Sequence, residues 1–378
     1  MKITDVRAHV LEAQLSQPFS YSRAWYASRA SLVIEITTDD GQIGWGESYG
    51  PVRINAAIVR AMKDFLVGQD PLRSEWIWHE LYARYRDHGQ KGSIIQAISG
   101  IDIALWDLKG KYFGVPIHQL MGGPVRTQVR AYATGLYGRE GGKPEVYLAE
   151  EAAGYCAEGF EAVKLKVGYG VEQDIRMTRA VRDAIGPSVG LMVDANHAYD
   201  SVSAIKLGRR IEELDIGWFE EPVLPEDVAG HREVKAALTI PIATGECEFT
   251  RYGFRELLQT RAADIIQPDT CSAGGLSECK KIADMALAYS VRYAPHCWGT
   301  GIALAAGLHL LAVIPAWTPP SLNPEEPMLE FDRTEHPVRK ALLSTPIEHV
   351  RGRVAVPTAP GLGIEIDRQA LEHFGVAI

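Results

Sequence analysis

Three short apolar runs in this chain each end in a carboxylate, and the carboxylates recur 26 residues apart: Asp194 in Gly190-Leu-Met-Val-Asp-Ala-Asn196, Glu220 in Gly217-Trp-Phe-Glu-Glu-Pro222, and Glu246 in Ile242-Ala-Thr-Gly-Glu246. A strand of ~5 residues, a helix of ~10–12 and two short loops fill such an interval. Three acids at one phase of a strand–helix repeat lie side by side at one end of a parallel sheet. They repel one another unless a cation joins them, so the spacing predicts a divalent metal site.

The same rhythm extends on both sides. Candidate strands are 129–134, 162–167, 190–194, 218–220, 242–246, 264–267 and 292–295, with helical patterns between them such as 174–185, 201–214 and 276–289. Seven or more strands alternating with helices favour a closed barrel over an open sheet. Residues 1–124 read differently. Strand-like runs cover 2–15 and a hairpin covers 31–48, turning at Asp39-Asp-Gly-Gln42. Helical patterns follow over 55–67, 73–85 and 94–113 before Gly122-Gly-Pro124 breaks the chain. The expected organisation is an α+β capping domain at 1–124, a barrel at 125–323, and a Pro- and Gly-rich segment at 324–378 that leaves the barrel and returns to the cap. A chain of 378 residues suits one large barrel with an accessory domain.

Composition removes several classes. A net charge of −9 leaves no basic excess for neutralising phosphates, so no nucleic-acid partner is expected. The five cysteines, Cys156, Cys247, Cys271, Cys279 and Cys297, form no zinc-type cluster and suit free thiols in a reducing cytoplasm. Cys247 and Cys297 follow site residues, and strand alternation turns both away from the site. The N-terminal residues do not read as a signal peptide. The apolar stretch 302–317 is too short to span a membrane and holds His309 and Pro315. A buried barrel helix is expected there, and no membrane partner.

Reactive groups of a βα barrel gather at the C-terminal ends of its strands. The second strand reads Val163-Lys-Leu-Lys-Val167, so Lys164 and Lys166 share a face. Two inward lysines need anions nearby, and the next three strands supply Asp194, Glu220 and Glu246. The sixth strand ends in Gln267-Pro-Asp269 and the seventh in Ala294-Pro-His296, adjacent positions that suit an Asp269–His296 hydrogen bond. Each feature alone is weak: Lys-x-Lys is usually a solvated edge, a strand-end acid often caps a helix, and a lone His often sits satisfied in a core. Together, six successive strands carry what abstraction of a proton next to a carboxylate requires. A Mg²⁺ on three carboxylates stabilises the enediolate, and Lys166 and His296 flank it as base and acid, in either order. All-oxygen ligation favours Mg²⁺ or Mn²⁺ over zinc.

Across its full length the chain resembles the enolase superfamily, in its mandelate racemase/muconate lactonizing enzyme-like branch. The residues that carry the resemblance are Lys164-Leu-Lys166, Asp194-Ala-Asn196, Glu220-Glu-Pro222, Gly245-Glu246, Gln267-Pro-Asp269 and His296. The superfamily is one of the standard cases of Lys or His bases working with Mg²⁺. The resemblance implies a modified (β/α)7β TIM barrel with an N-terminal α+β cap completed by the C-terminal segment. It implies one Mg²⁺ per subunit on Asp194, Glu220 and Glu246, with Lys164, Lys166, Asp269 and His296 as catalytic residues. It also places Asn196 near the substrate and has Glu330 hydrogen-bond the substrate carboxylate opposite the metal, with Glu325 and Glu326 as close competitors for that position.

Asp40-Gly-Gln-Ile-Gly-Trp-Gly-Glu47, Ser99–Asp107, His296-Cys-Trp-Gly-Thr-Gly301 and Glu330-Phe-Asp-Arg333 are similar to stretches of the branch's galactarolactone cycloisomerases, the match around Trp298 and Arg333 being the more particular. The expected reaction is β-elimination after α-proton loss, opening an aldarolactone such as galactaro-1,4-lactone. The alternative is an aldarate or aldonate dehydratase, and remoter ones are a racemase or epimerase and a non-catalytic metal-binding sugar-acid sensor. Cap loops at 18–23 and 48–53 offer Tyr21, Arg23, Tyr49 and Arg53 for substrate selection, alongside Lys164 and Trp298. The partners expected are a small sugar acid or its lactone and further copies of the chain.

Overall fold

The computed structural model describes residues 1–316 and 325–377. The first residues form an antiparallel meander, β1 (Ile3–Ser20), β2 (Trp25–Thr38) and β3 (Ile43–Ser48), in that order in the sheet. Helices α1 (Val52–Leu66), α2 (Ser74–Tyr85), α3 (Ser93–Phe113) and α4 (Ile117–Leu120) follow. Their apolar faces bury Val59, Met62, Ile77, Trp78, Ile98 and Ile101 against Ile34 and Ile36 of β2. Gly46 lets α3 approach the sheet closely, since a Cβ there would meet the Gly100 carbonyl oxygen.

The barrel then alternates strand and helix: β4 (Gln128–Thr134), α5 (Pro144–Ala157), β5 (Ala162–Lys166), α6 (Val171–Ile185), β6 (Gly190–Asp194), α7 (Ser201–Ile211), β7 (Ile216–Glu220), α8 (Val228–Ala237), β8 (Ile242–Thr244), α9 (Thr250–Thr260), β9 (Ile265–Ile266), α10 (Gly275–Ala288), β10 (Arg292–Tyr293) and α11 (Gly301–Val313). Neighbours from β4 to β10 pair in parallel. Side-chain alternation separates two cores. Tyr132, Ala162, Met192, Trp218, Ala243, Ile265 and Ala294 fill the interior, large beside small. Val163, Leu165, Leu191, Val193 and Phe219 pack outward on the helices.

The C-terminal segment departs from the expectation that the chain leaves the barrel from about residue 324. The 323/324 boundary itself lies outside the described residues. Beyond it, β11 (Leu329–Asp332) pairs in parallel with β4, so the tail first supplies an eighth barrel strand. No ladder joins β10 to β11 among the described residues. After α12 (Pro337–Leu342), β12 (His349–Val350) and β13 (Arg353–Ala355) add antiparallel pairing to β4. The chain then reaches the cap: beyond α13 (Arg368–His373), the Phe374 carbonyl accepts from Glu12 N and Val376 N donates to the Val10 carbonyl, both at 2.9 Å.

Cap and barrel are fastened where α2 and α3 meet α10. Trp78 Nε1 donates to the Gly274 carbonyl at 2.7 Å, and Ser277 donates through N and Oγ to buried Asp102 at 2.9 and 2.6 Å. All five cysteines are free. Among the described residues no helix is long and apolar enough to cross a membrane; α11, expected as a buried barrel helix, is buried along nearly its whole length.

Candidate active site

Strand register builds the site. Lys166 pairs in register with Asp194, and Asp194 with Glu220, so these groups stand in one row at the strand ends. The inward phase that carries Ala162 and Met192 also carries Lys164, Lys166 and Asp194. Beyond the strands the backbone turns sharply: Asn196, His197 and Glu221 have φ of 42°, 53° and 43°. Left-handed conformations at non-glycine residues are uncommon, and a group of them at one cavity marks a built site.

Asp194, Glu220 and Glu246 each offer an oxygen within 4.8 Å of the others. Lys164 Nζ lies 2.5 Å from Glu220 Oε1 and 2.8 Å from Glu330 Oε1, while Lys166 Nζ contacts Asp194 Oδ2 and donates to Asn196 Oδ1 at 3.0 Å. Trp218 Nε1 and Gln267 Nε2 donate to Glu220 Oε2 at 2.9 and 2.7 Å. Burial would raise the Asp194 carboxyl, but Lys166 and Lys164 outweigh it and hold it below the usual range. Glu220 goes the other way: burial raises it, Lys164 opposes, and Asp194, Glu330 and Glu246 add to the rise. A buried set in which burial and neighbouring acids together push one acid toward protonation is short of positive charge. Three convergent carboxylates supply the hard, all-oxygen donors that a divalent cation takes, so these residues fit such an ion.

Both candidate bases face this set. Burial pulls Lys166 down, yet Asp194 and Tyr137 hold it well above an ordinary lysine. His296 Nδ1 donates to Asp269 Oδ2 at 2.6 Å, which leaves Nε2 toward the cavity, 3.8 Å from Glu246 Oε2. Burial opposes charge on His296 as well, but Glu246, the Asp269 hydrogen bond and Glu330 push it up to about 10. The carboxylates that raise both groups thus include two of the candidate ligands, Asp194 and Glu246, and a cation taking up their charge would free one group to act as base.

Glu330, on strand β11, is the acid of this segment that reaches the site. It accepts from Thr134 Oγ1 at 2.6 Å and from Cys297 N at 3.1 Å, whereas Glu325 pairs with Arg292 at the opposite end of β10. Burial raises Glu330, but Lys164, His296 and Lys166 outweigh it and keep it below the usual range.

A cavity of about 180 Å³ opens over these groups. Lys166, Asn196, Glu246, His296 and Glu330 line its floor, and Tyr21, Tyr26, Tyr49, Tyr137 and Trp298 its wall. The Tyr49 ring centroid is 5.3 Å from that of His296. Behind the wall, Arg29 stacks 3.7 Å above Trp298 and donates to Asp332 at 3.1 Å.

The residues expected from the sequence therefore meet at one place, with exceptions. Arg53 turns away to Glu12 and the Ala377 carbonyl, and Arg23 reaches His197 Nδ1 at 3.2 Å. Arg333 pairs with Glu158 outside the cavity. Cys297 is buried as expected, but Cys247 lines the cavity. Strand β8 ends at Thr244, and Gly245 at φ 135° breaks the alternation on which the opposite expectation rested. Tyr26, Arg29, Tyr137 and His197 were not expected. Tyr26 and Arg29 lie on an ordinary cap strand and meet the site only where cap docks on barrel, whereas Tyr137 and His197 lie in turns just beyond β4 and β6.

Two family models match the chain: the mandelate racemase/muconate lactonizing enzyme N-terminal domain over residues 3–122 and the enolase C-terminal domain-like model over 147–370. The chain is 50% identical over 374 residues to the D-galactarolactone cycloisomerase of Agrobacterium fabrum, covering 99% of both proteins. It is 36% identical to the arabinonate dehydratase of Saccharolobus solfataricus, covering 91% of this chain and 90% of that one. The crystal structure of the 3,6-anhydro-D-galactonate cycloisomerase from Zobellia galactanivorans matches over 100% of both chains with a TM-score of 0.90 and 42% identity. The chain belongs to the mandelate racemase/muconate lactonizing enzyme branch of the enolase superfamily and, like these relatives, is an enzyme.

Proposed function

We propose that this enzyme removes the proton α to the free carboxylate of a sugar-acid lactone and expels the ring oxygen from the β-carbon, with an aldarolactone such as galactaro-1,4-lactone as substrate. The observation that carries the chemistry is the pair of bases, Lys166 and His296, facing one cavity across three convergent carboxylates. The cycloisomerase 50% identical over nearly the whole chain supports the lactone.

Asp194, Glu220 and Glu246 would hold one Mg²⁺ or Mn²⁺ per chain, which when bound supplies positive charge for the carboxylate oxygens as the α-carbon is deprotonated. Lys166 Nζ or His296 Nε2, whichever is neutral, takes the α-proton. Asp269 keeps the imidazole oriented through its 2.6 Å hydrogen bond. Glu330, pinned by Thr134, Cys297 N and Lys164, faces the substrate carboxylate and would hydrogen-bond it once it carries a proton, since an ionised carboxylate only accepts. Asn196 orients Lys166, and the aromatic wall excludes water.

The electron pair left by the α-proton forms the Cα=Cβ bond as the β-carbon–oxygen bond breaks. In a lactone that oxygen departs as a carboxylate and needs no proton. The resulting enol takes a proton at the β-carbon to become a keto acid, so product and substrate are isomers. Among the described residues, the cations lining the cavity are Lys166 and His296, both on the floor, and the cap side is aromatic. That wall suits an uncharged lactone end better than the second carboxylate of an open aldarate.

The dehydratase reading is kept for one observation: a second titratable group stands across from the base, where it can protonate a departing hydroxyl. It is also the activity of the relative 36% identical to this chain. Product NMR and mass spectrometry after incubation with Mg²⁺ and a panel of aldarolactones and aldonates separate the two. A keto acid isomeric with a lactone supports cycloisomerisation, loss of water from an aldonate supports dehydration, and inertness toward the whole panel refutes both. The free thiols support a cytoplasmic location.

A further inference from the structure

Each of three site residues is followed by another potential ligand: His197 after Asn196, Glu221 after Glu220, and Cys247 after Glu246. In continuing strands these neighbours would point away. Here the left-handed turns at Asn196, His197 and Glu221, with Gly245 before Cys247, bring them together beside the carboxylate set. One ligand atom of each lies within 4.8 Å of the others. Glu221 is 1% exposed, and neither of its carboxylate oxygens has a hydrogen-bond partner among the described residues. A buried carboxylate without a donor is costly, and nothing in the acid–base chemistry above uses it.

The distances suggest what satisfies it. His197 Nε2 is 3.7 Å from Glu221 Oε2 and 3.8 Å from Cys247 Sγ, too long for strong hydrogen bonds. A tetrahedral ion with ~2.0 Å bonds to nitrogen and oxygen and ~2.3 Å to sulfur holds such atoms roughly 3.3–3.6 Å apart, so the two His197 distances need contract by only a few tenths of an ångström. We propose that His197, Glu221 and Cys247 form a second metal site that takes one thiophilic divalent cation of the Zn²⁺ class. Its nitrogen, oxygen and sulfur donors distinguish it from the all-oxygen set next to it, so the two sites select different metals. Cys247 and His197 border the cavity, which gives an ion a route in and water for its fourth position.

Arg23 competes with this site. A guanidinium only donates, so its 3.2 Å contact makes His197 Nδ1 the acceptor and leaves the ring proton on Nε2. A cation on Nε2 requires that proton to move to Nδ1 and Arg23 to withdraw. Arg23 is exposed in the short connection between β1 and β2, so it is free to leave.

The test uses the full chain saturated with Mg²⁺ and titrated with Cd²⁺, read by the thiolate-to-cadmium charge-transfer absorbance, which is independent of turnover. The expected result is a band that saturates at one Cd²⁺ per chain. It should vanish in Cys247→Ser, persist in Cys156→Ser, weaken at least ~10-fold in affinity in His197→Gln, and tighten severalfold in Arg23→Ala. No band in the wild type, or one unchanged in Cys247→Ser, overturns the proposal. If Cys247→Ser does not fold, His197→Gln decides, and unchanged Cd²⁺ affinity there is the overturning result.

Discussion

Replacing Asp332 with Asn should cost about 3–5 kcal/mol of folding stability near neutral pH, because it strands buried guanidinium charge. Asp332 ends β11 and is 1% exposed. Its carboxylate accepts from Arg29 and Arg339 at 3.1 Å each, from Thr334 N at 2.8 Å and from Thr334 Oγ1 at 2.6 Å. Burial raises this carboxyl, but Arg29 and Arg339 outweigh it and bring it from 3.8 to about 2. The folded value lies below the unfolded one, so the contribution is complete above about pH 4 and is lost as the pH falls through about 2. That displacement alone corresponds to roughly 2 kcal/mol. The substitution exceeds it, since the amide also turns an N–H toward the Arg29 and Arg339 guanidiniums or the Thr334 N–H, which only donate. Urea unfolding of wild type and Asp332→Asn at about pH 7, 5 and 3 measures the gap. It should hold at the two higher values and narrow at the lowest. A gap below about 1 kcal/mol at neutral pH, or one indifferent to pH, refutes the reasoning. Because Arg29 supports Trp298 from behind the cavity wall, the variant should also raise KM severalfold.

The remaining predictions concern the site. Of Lys166→Ala and His296→Asn, the one that removes the acid should slow aldonate dehydration by ~10²–10⁴-fold but lactone opening by less than about tenfold, since a carboxylate leaves without a proton; steady-state kinetics on both substrates reads the difference. Chelation should abolish activity and lower the melting temperature, with Mg²⁺ at ~100 times its Kd restoring about 2.7 kcal/mol in a thermal unfolding series. Glu47 of the cap accepts from Thr300 N at 2.9 Å, Thr300 Oγ1 at 2.6 Å and Ala303 N at 3.0 Å, capping α11 just after the His296–Trp298 turn. Glu47→Ala should therefore lose roughly 1–3 kcal/mol in urea unfolding and raise KM more than it lowers kcat.

What was legible from the chain followed strand periodicity. Asp194, Glu220 and Glu246 repeat at one phase of the βα unit, Lys164 and Lys166 alternate with Leu165, and Asp269 and His296 end adjacent strands. Each is a local pattern, and it is their succession along consecutive strands that has one geometric reading. Strand β11 was hidden because four residues after a Pro- and Glu-rich stretch carry almost no periodicity, and its pairing with β4 joins segments nearly 200 residues apart. Tyr26 and Arg29 escaped notice for a similar reason: they lie on an ordinary cap strand and reach the site only when cap and barrel dock. Cys247 shows where periodicity misleads, since the strand ends before it and a glycine resets the direction of the side chain.

The central claim is that this cavity removes a proton next to a carboxylate, and α-hydrogen exchange in D₂O tests it most directly. With Mg²⁺ and an aldarolactone or aldonate, wild-type enzyme should lose the α-hydrogen and incorporate solvent deuterium at the α-carbon of recovered substrate or at the β-carbon of product. Chelator should stop this, as should one of Lys166→Ala and His296→Asn, whereas the other should retain exchange from its own face. Turnover with the α-hydrogen fully retained, or exchange indifferent to the loss of either residue, would contradict the account.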